Sequence, residues 1–178
     1  MDASFFNIKE LKQLPTLIRK LVTLCGATVP YEERHRLARS VSALDSGMAH
    51  CRDSFGRNSL FHYMMSVKLL CEEIGSDRSM IISMILAPLC RAGLFKPEDA
   101  AAEWGDDVAA LLTGLLKVEN LYDRGVVGVS ENFRNLLMTF ANDIRVIIIK
   151  IVECTVRMRD INHHPDEDRV KQTAFEAK

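Results

Sequence analysis

Neither sign of charge dominates this sequence. Its 178 residues carry a formal net charge of -1, which leaves no surplus of Lys and Arg to neutralise a long phosphate backbone. Direct nucleic-acid binding is therefore not expected. No uncharged apolar run is long enough to span a bilayer. The opening Met1-Asp2-Ala3-Ser4-Phe5-Phe6 also lacks the basic stretch of a secretory leader, so no membrane partner is expected. The five cysteines, Cys25, Cys51, Cys71, Cys90 and Cys154, are odd in number and never stand in a CxxC pair. Three directly follow a leucine and Cys154 closes an isoleucine-rich stretch, the setting of reduced core thiols, which points to the cytoplasm. Period-two alternation, internal repeats and low-complexity tracts are missing too, which argues against half-buried strands and repeat arrays.

What is present is a chain with 48% hydrophobic and 26% charged residues, enough to bury one core, so a single domain over residues 1–178 is expected. Apolar residues recur at helical spacing, as in Leu60, Met64, Val67, Cys71 and Ile74 or in Val108, Leu111, Leu112 and Leu115. The fold class read from this is all-α. Breaks are predicted at Gly26 to Pro30, Asp53 to Asn58, Gly75 to Asp77, Gly93 to Pro97, Gly105, Gly125 to Ser130 and Asn162 to Asp168, giving roughly seven to nine helices. Asp143 to Val152 is apolar on more than one face and is predicted to be the central helix. Its seam is placed at Ile144, Ile147, Ile148, Ile151, Cys154 and Met158. A short buried strand over Val146 to Val152 is the rival reading, because the run is β-branched. Arg169 to Lys178 looks helical and stops without a cap, which points to an excised N-terminal piece of a longer polypeptide.

Three stretches carry a resemblance. Glu131-Asn132-Phe133-Arg134-Asn135-Leu136-Leu137 with Asn142-Asp143-Ile144-Arg145-Val146-Ile147-Ile148-Ile149-Lys150-Ile151 resembles the signature of the hydrolase domain of RelA/SpoT homologues. Trp104 to Val108 through Gly114 to Val118 is similar to a second pattern of that family, and Gly56 to Val67 more loosely to a third. The resemblance implies an HD-type helical hydrolase domain that removes pyrophosphate from (p)ppGpp with a bound divalent metal, usually manganese, and that is followed by a synthetase domain. Its donors are a His, a His-Asp pair and a later Asp. Such ligands suit a metal that lowers the pKa of a bound water, and a Glu-Asp pair beyond the His-Asp is the acid/base element.

Here those positions are replaced. Alignment on Val67 and Asp77 puts the His-Asp pair on Ala87 and Pro88, which have no donor atoms, and the Glu-Asp pair on Arg91 and Ala92. The last Asp falls on Glu153, and the family's substrate-contacting Asn and Thr become Arg157 and Asp160. The first donor falls on His62 counting from Gly56, or on Tyr63 counting back from Val67. No catalytic residue and no metal are therefore expected, with His62 and Glu153 as relic ligands and manganese lost. Pro88 must kink or end its helix. Glu153, if buried, needs a cation, for which Arg91, Arg52 and Arg157 are the candidates. His163, His164, Asp166 and Asp168 read as a solvated loop.

Three functions follow. The first is a regulatory pseudo-hydrolase domain packed against the synthetase domain of a parent GTP pyrophosphokinase, acting in (p)ppGpp metabolism and the stringent response. The second is an allosteric guanine-nucleotide site in the old pocket, with Arg91, Arg157 or Arg52 replacing the metal charge. The third sets the resemblance aside and leaves an all-helical adaptor.

Overall fold

The first predicted break, Gly26 to Pro30, separates α1 (Ser4–Thr28) from α2 (Tyr31–Met48). Pro30 has no N–H to continue α1, and Arg34 Nε spans the corner, donating to the Val29 carbonyl at 3.1 Å. The computed structural model describes residues 4–48, 58–123, 143–159 and 161, together with 168, 170, 171 and 174. The chain divides into two compact units, Met1–Phe95 and Lys96–Lys178. Seven α-helices and no β-strand lie among the described residues, in line with the all-α pattern. No helix among them is long and apolar enough to cross a membrane.

In the first unit, α1 turns Leu14, Leu17, Leu21 and Cys25 inward, and α2 does so with Leu37, Val41 and Leu44. Both sets repeat every three or four residues, as one helix face requires. Helix α3 (Ser59–Leu69) starts where the Asn58 side chain accepts from the Phe61 N–H at 2.9 Å, which satisfies one of the orphan donors of the first turn. A π-helical turn, Leu70–Ile74, closes it and stops at Gly75, whose φ of +93° favours glycine. Asp77 then caps α4 (Arg78–Arg91) by accepting from the Met80 N–H at 2.8 Å. Every residue of α4 from Ser79 to Leu89 is buried. A helix that is apolar or small all round has to be enclosed in this way.

The second unit opens with a 3-10 turn at Pro97–Asp99, followed by α5 (Ala100–Trp104) and α6 (Asp106–Asp123), with Gly105 between them. Ala100, Trp104, Val108, Leu111, Leu112, Leu115 and Val118 form its core against α7 (Ile144–Arg159). Arg145 ties the helix starts together: its Nη2 lies 2.6 Å from Asp143 Oδ2 and 2.7 Å from Asp107 Oδ1. That guanidinium holds the Asp143 carboxyl below its ordinary range. The breaks predicted at Gly125 to Ser130 and Asn162 to Asp168 lie outside the described residues, Asp168 excepted.

Helix α7 corrects the reading of the isoleucine run. It is helical throughout, so the strand alternative is discarded, yet Ile144 and Ile151 are 63% and 56% exposed. The buried side consists of Val146, Ile149, Val152, Glu153 and Val156, rather than the predicted seam. Apolar residues at nearly every position satisfy more than one helical phase, and the neighbouring helix selects among them. Here that neighbour is α6 at Gly114, where an added Cβ would stand only 2.8 Å from Val146 Cγ2. Enclosure on all sides belongs to α4 instead.

A two-pronged ion pair fastens α4 to α2, with Arg78 Nε and Nη2 each 2.6 Å from a different oxygen of Glu33. Hydrogen bonding from Arg78 lowers the Glu33 pKa below its ordinary 4.5. A lowered carboxylate stabilises the fold above its unfolded pKa, and that stability is lost as pH falls through the folded value. Glu33→Gln should cost about 1 kcal/mol at pH 7, allowing for solvent that still reaches the pair. Urea unfolding midpoints of the two proteins should converge as pH is lowered below about 4.5.

Candidate functional site

Helices α3 and α4 are joined only by the π-turn and Gly75 to Asp77, so they form an antiparallel hairpin. The start of α3 thereby meets the end of α4. The contact is direct: the Arg91 guanidinium carbon lies 4.9 Å from the centroid of the Tyr63 ring, a cation–π arrangement worth roughly 0.5–1 kcal/mol near solvent. Tyr63 is half-buried, while His62 beside it is buried with its ring edge-on to Tyr63 at 6.0 Å. Either register of the first donor thus falls on this turn of α3.

One turn before Arg91, both Ala87 and Pro88 are buried within α4. Pro88 cannot donate to the helix, and α4 ends three residues later. Gly93 N–H donates to the Cys90 carbonyl at 3.0 Å and Leu94 N–H to the Leu89 carbonyl at 2.9 Å. With Gly93 at φ +70°, this is a Schellman stop, with Ala92 as the C-cap. The helix ends close to its proline, as Pro88 requires.

The resemblance assigns the metal pair to these two positions. The structure holds a buried methyl group and a buried pyrrolidine ring there, and Arg91 brings a cation to the same end of the helix. Among the described residues no three His, Cys, Asp or Glu side chains gather into a cluster that could hold a metal. These residues do not fit a divalent cation, which needs several oxygen or nitrogen donors converging on one point.

Glu153 lies in the second unit, on α7, and is 6% exposed. Its shown cation is Lys150, one turn earlier, with Nζ 2.8 Å from Oε2 and both side chains largely out of water. A cation meets the buried carboxylate, and Lys150 adds to the arginine candidates named from the sequence. The i, i+3 spacing of Lys150 and Glu153 was the available signal. Arg157 is half-buried on the last turn of α7. Arg91 belongs to the first unit and Glu153 to the second. Arg52, Asp160, Glu131 to Asn142, His163, His164 and Asp166 lie outside the described residues. The structure thus brings His62, Tyr63, Ala87, Pro88 and Arg91 to one end of the α3–α4 hairpin, and Lys150 to Glu153.

The sequence profile described as HD domain matches residues 43–177. The chain is 30% identical over 131 residues to a guanosine-3′,5′-bis(diphosphate) 3′-pyrophosphohydrolase of Vibrio cholerae, covering 72% of this chain and 18% of that protein. It is 28% identical over 156 residues to the bifunctional (p)ppGpp synthase/hydrolase SpoT of Escherichia coli, 86% of this chain and 22% of that one. To a GTP pyrophosphokinase of Myxococcus xanthus it is 27% identical over 103 residues, 56% of this chain and 14% of the relative. The chain spans less than a quarter of the length of these relatives.

Breaking a buried pair by removing one partner leaves a charge without its compensation. Lys150→Met should therefore destabilise the chain by about 3 kcal/mol at neutral pH. The double variant Lys150→Met/Glu153→Leu should lose clearly less than the single one. Chemical denaturation of both, compared in a double-mutant cycle, checks this.

Proposed function

Because the chain belongs to the HD-domain family and is an HD domain of the RelA/SpoT type, we propose that it serves (p)ppGpp metabolism as a regulatory pseudo-hydrolase. The observation that carries this reading is the burial of Ala87 and Pro88 at the positions of the metal-binding pair. Hydrolysis in this family pattern needs a metal-activated water and a carboxylate to move its proton. The first requires donors that a methyl group and a proline ring do not have. The second falls on Arg91 and Ala92, and an arginine cannot accept a proton at neutral pH. What remains is a helical body able to pack against other parts of a longer chain. In this reading the parent is a cytoplasmic GTP pyrophosphokinase of the stringent response, and this domain biases its synthetase without metal chemistry of its own.

A second reading keeps the pocket as a guanine-nucleotide site. It is favoured by the Arg91–Tyr63 pair, in which an exposed guanidinium lies over an aromatic ring. Both groups recognise phosphates and flat bases in other settings. The adaptor reading, which set the resemblance aside, loses its ground with the HD-domain match.

Incubation of the 178-residue chain with ppGpp and manganese should release no pyrophosphate. Turnover that a chelator abolishes would contradict the pseudo-hydrolase. Calorimetry with ppGpp, GDP and GTP separates the two readings: no heat at millimolar ligand supports the purely regulatory body. Saturable binding weakened at least tenfold by Arg91→Ala supports the nucleotide site.

A further inference from the structure

Between α1 and α2 the first unit holds an apolar cavity of about 20 Å³, floored by Met64 and Val67 of α3 and by Ile85 of α4. Val22, Arg34 and Ala38 line it and are also exposed, so its mouth opens to solvent between the two helices. The volume suits one water or one methyl-sized group. Water finds little to hydrogen-bond with inside, whereas an alkyl end gains by leaving water.

Arg34 is the sole charged residue among those that line this cavity, and its guanidinium is held in place from three sides. Its Nε donates to the Val29 carbonyl at 3.1 Å. The Tyr31 ring centroid lies 5.6 Å from the guanidinium carbon. A Cβ added at Gly26 would stand 3.8 Å from that same carbon, so the group lies against α1 where glycine leaves the backbone bare. The carboxylate next to it in sequence, Glu33, is taken up by Arg78. The terminal nitrogens of Arg34 meet no carboxylate among the described residues.

We propose that this mouth binds a short-chain monocarboxylate, its carboxylate on the terminal nitrogens of Arg34 and its alkyl end in the cavity. The site is independent of the hairpin end where Arg91 meets Tyr63, and of whether the domain hydrolyses. A guanidinium matches a carboxylate in charge and planar geometry, and one already fixed in position loses little freedom on binding. An exposed ion pair alone is weak, so the cavity supplies the rest of the affinity and the selectivity. Inorganic phosphate has no apolar end to place there, an alkylamine is repelled by Arg34, and a long acyl chain exceeds the volume. The bound ligand touches α1, α2, α3 and α4 together and therefore stabilises the first unit.

Titrating isovalerate into the 178-residue chain and following its methyl groups by NMR tests the proposal. Saturable shifts are expected at Val41, Met64, Val67 and Ile85, together with a rise in melting temperature. Isoamyl alcohol, the same skeleton without the charge, should bind about tenfold more weakly. Arg34→Gln should bring isovalerate down to the level of the alcohol. Val41→Ile adds a methyl group to the cavity wall and should weaken isovalerate about tenfold with Arg34 untouched. Acid and alcohol binding with equal midpoints would overturn the proposal. So would shifts confined to the Arg91 and Tyr63 end of the hairpin, or no saturable shift at tens of millimolar ligand. The comparison of acid and alcohol on the unaltered chain decides the matter even if a variant fails to fold.

Discussion

From Ser79 to Leu89, helix α4 has no side that faces solvent, and whatever the sequence places there must do without water. A histidine-aspartate pair in such a place is tolerable only with a cation to balance it, because an isolated buried charge costs several kcal/mol. Without a cation hydrocarbon is the stable filling of such a place, and Ala87 and Pro88 are hydrocarbon. The proline removes the donor that would have reached the Met84 carbonyl. Its position in the last turn of α4 puts that loss near the helix end. Loss of the donors and the burial of α4 are in this sense one constraint.

The second unit handles charge differently. Helix α7 buries a carboxylate, Glu153, and supplies a cation to it from its own preceding turn, Lys150. At its other end Arg145 gathers Asp107 and Asp143, so the start of α7 is fixed to the start of α6. Both devices are ion pairs that orient a helix, and neither requires a metal. Among the described residues the buried carboxylate Glu153 thus has a protein partner.

How far this could be read from sequence depends on whether the signal was local. Breaks at Gly26 to Pro30, Gly75 to Asp77, Gly93 to Pro97 and Gly105 were legible because glycine and proline act through their own backbone. The helical nature of Ile144 to Arg159 was legible too. Its buried phase was not, because the run satisfies several faces and Gly114, some thirty residues earlier, makes the choice. One cation of Glu153, Lys150, was legible because it stands at helical spacing beside it. The stacking of Arg91 on Tyr63 is a tertiary contact with no local signature. The replaced positions Ala87, Pro88, Arg91 and Ala92 were found by resemblance, and the structure gives their surroundings.

The central claim is that the hairpin of α3 and α4 keeps the architecture of an HD domain without its capacity to hold a metal. Electron paramagnetic resonance follows free manganese directly as it is titrated into the chain. The account predicts a free-ion signal that grows in proportion to added metal at micromolar concentration, with the protein making no difference. Stoichiometric loss of that signal, reversed by Glu153→Gln or by His62→Ala, would contradict it.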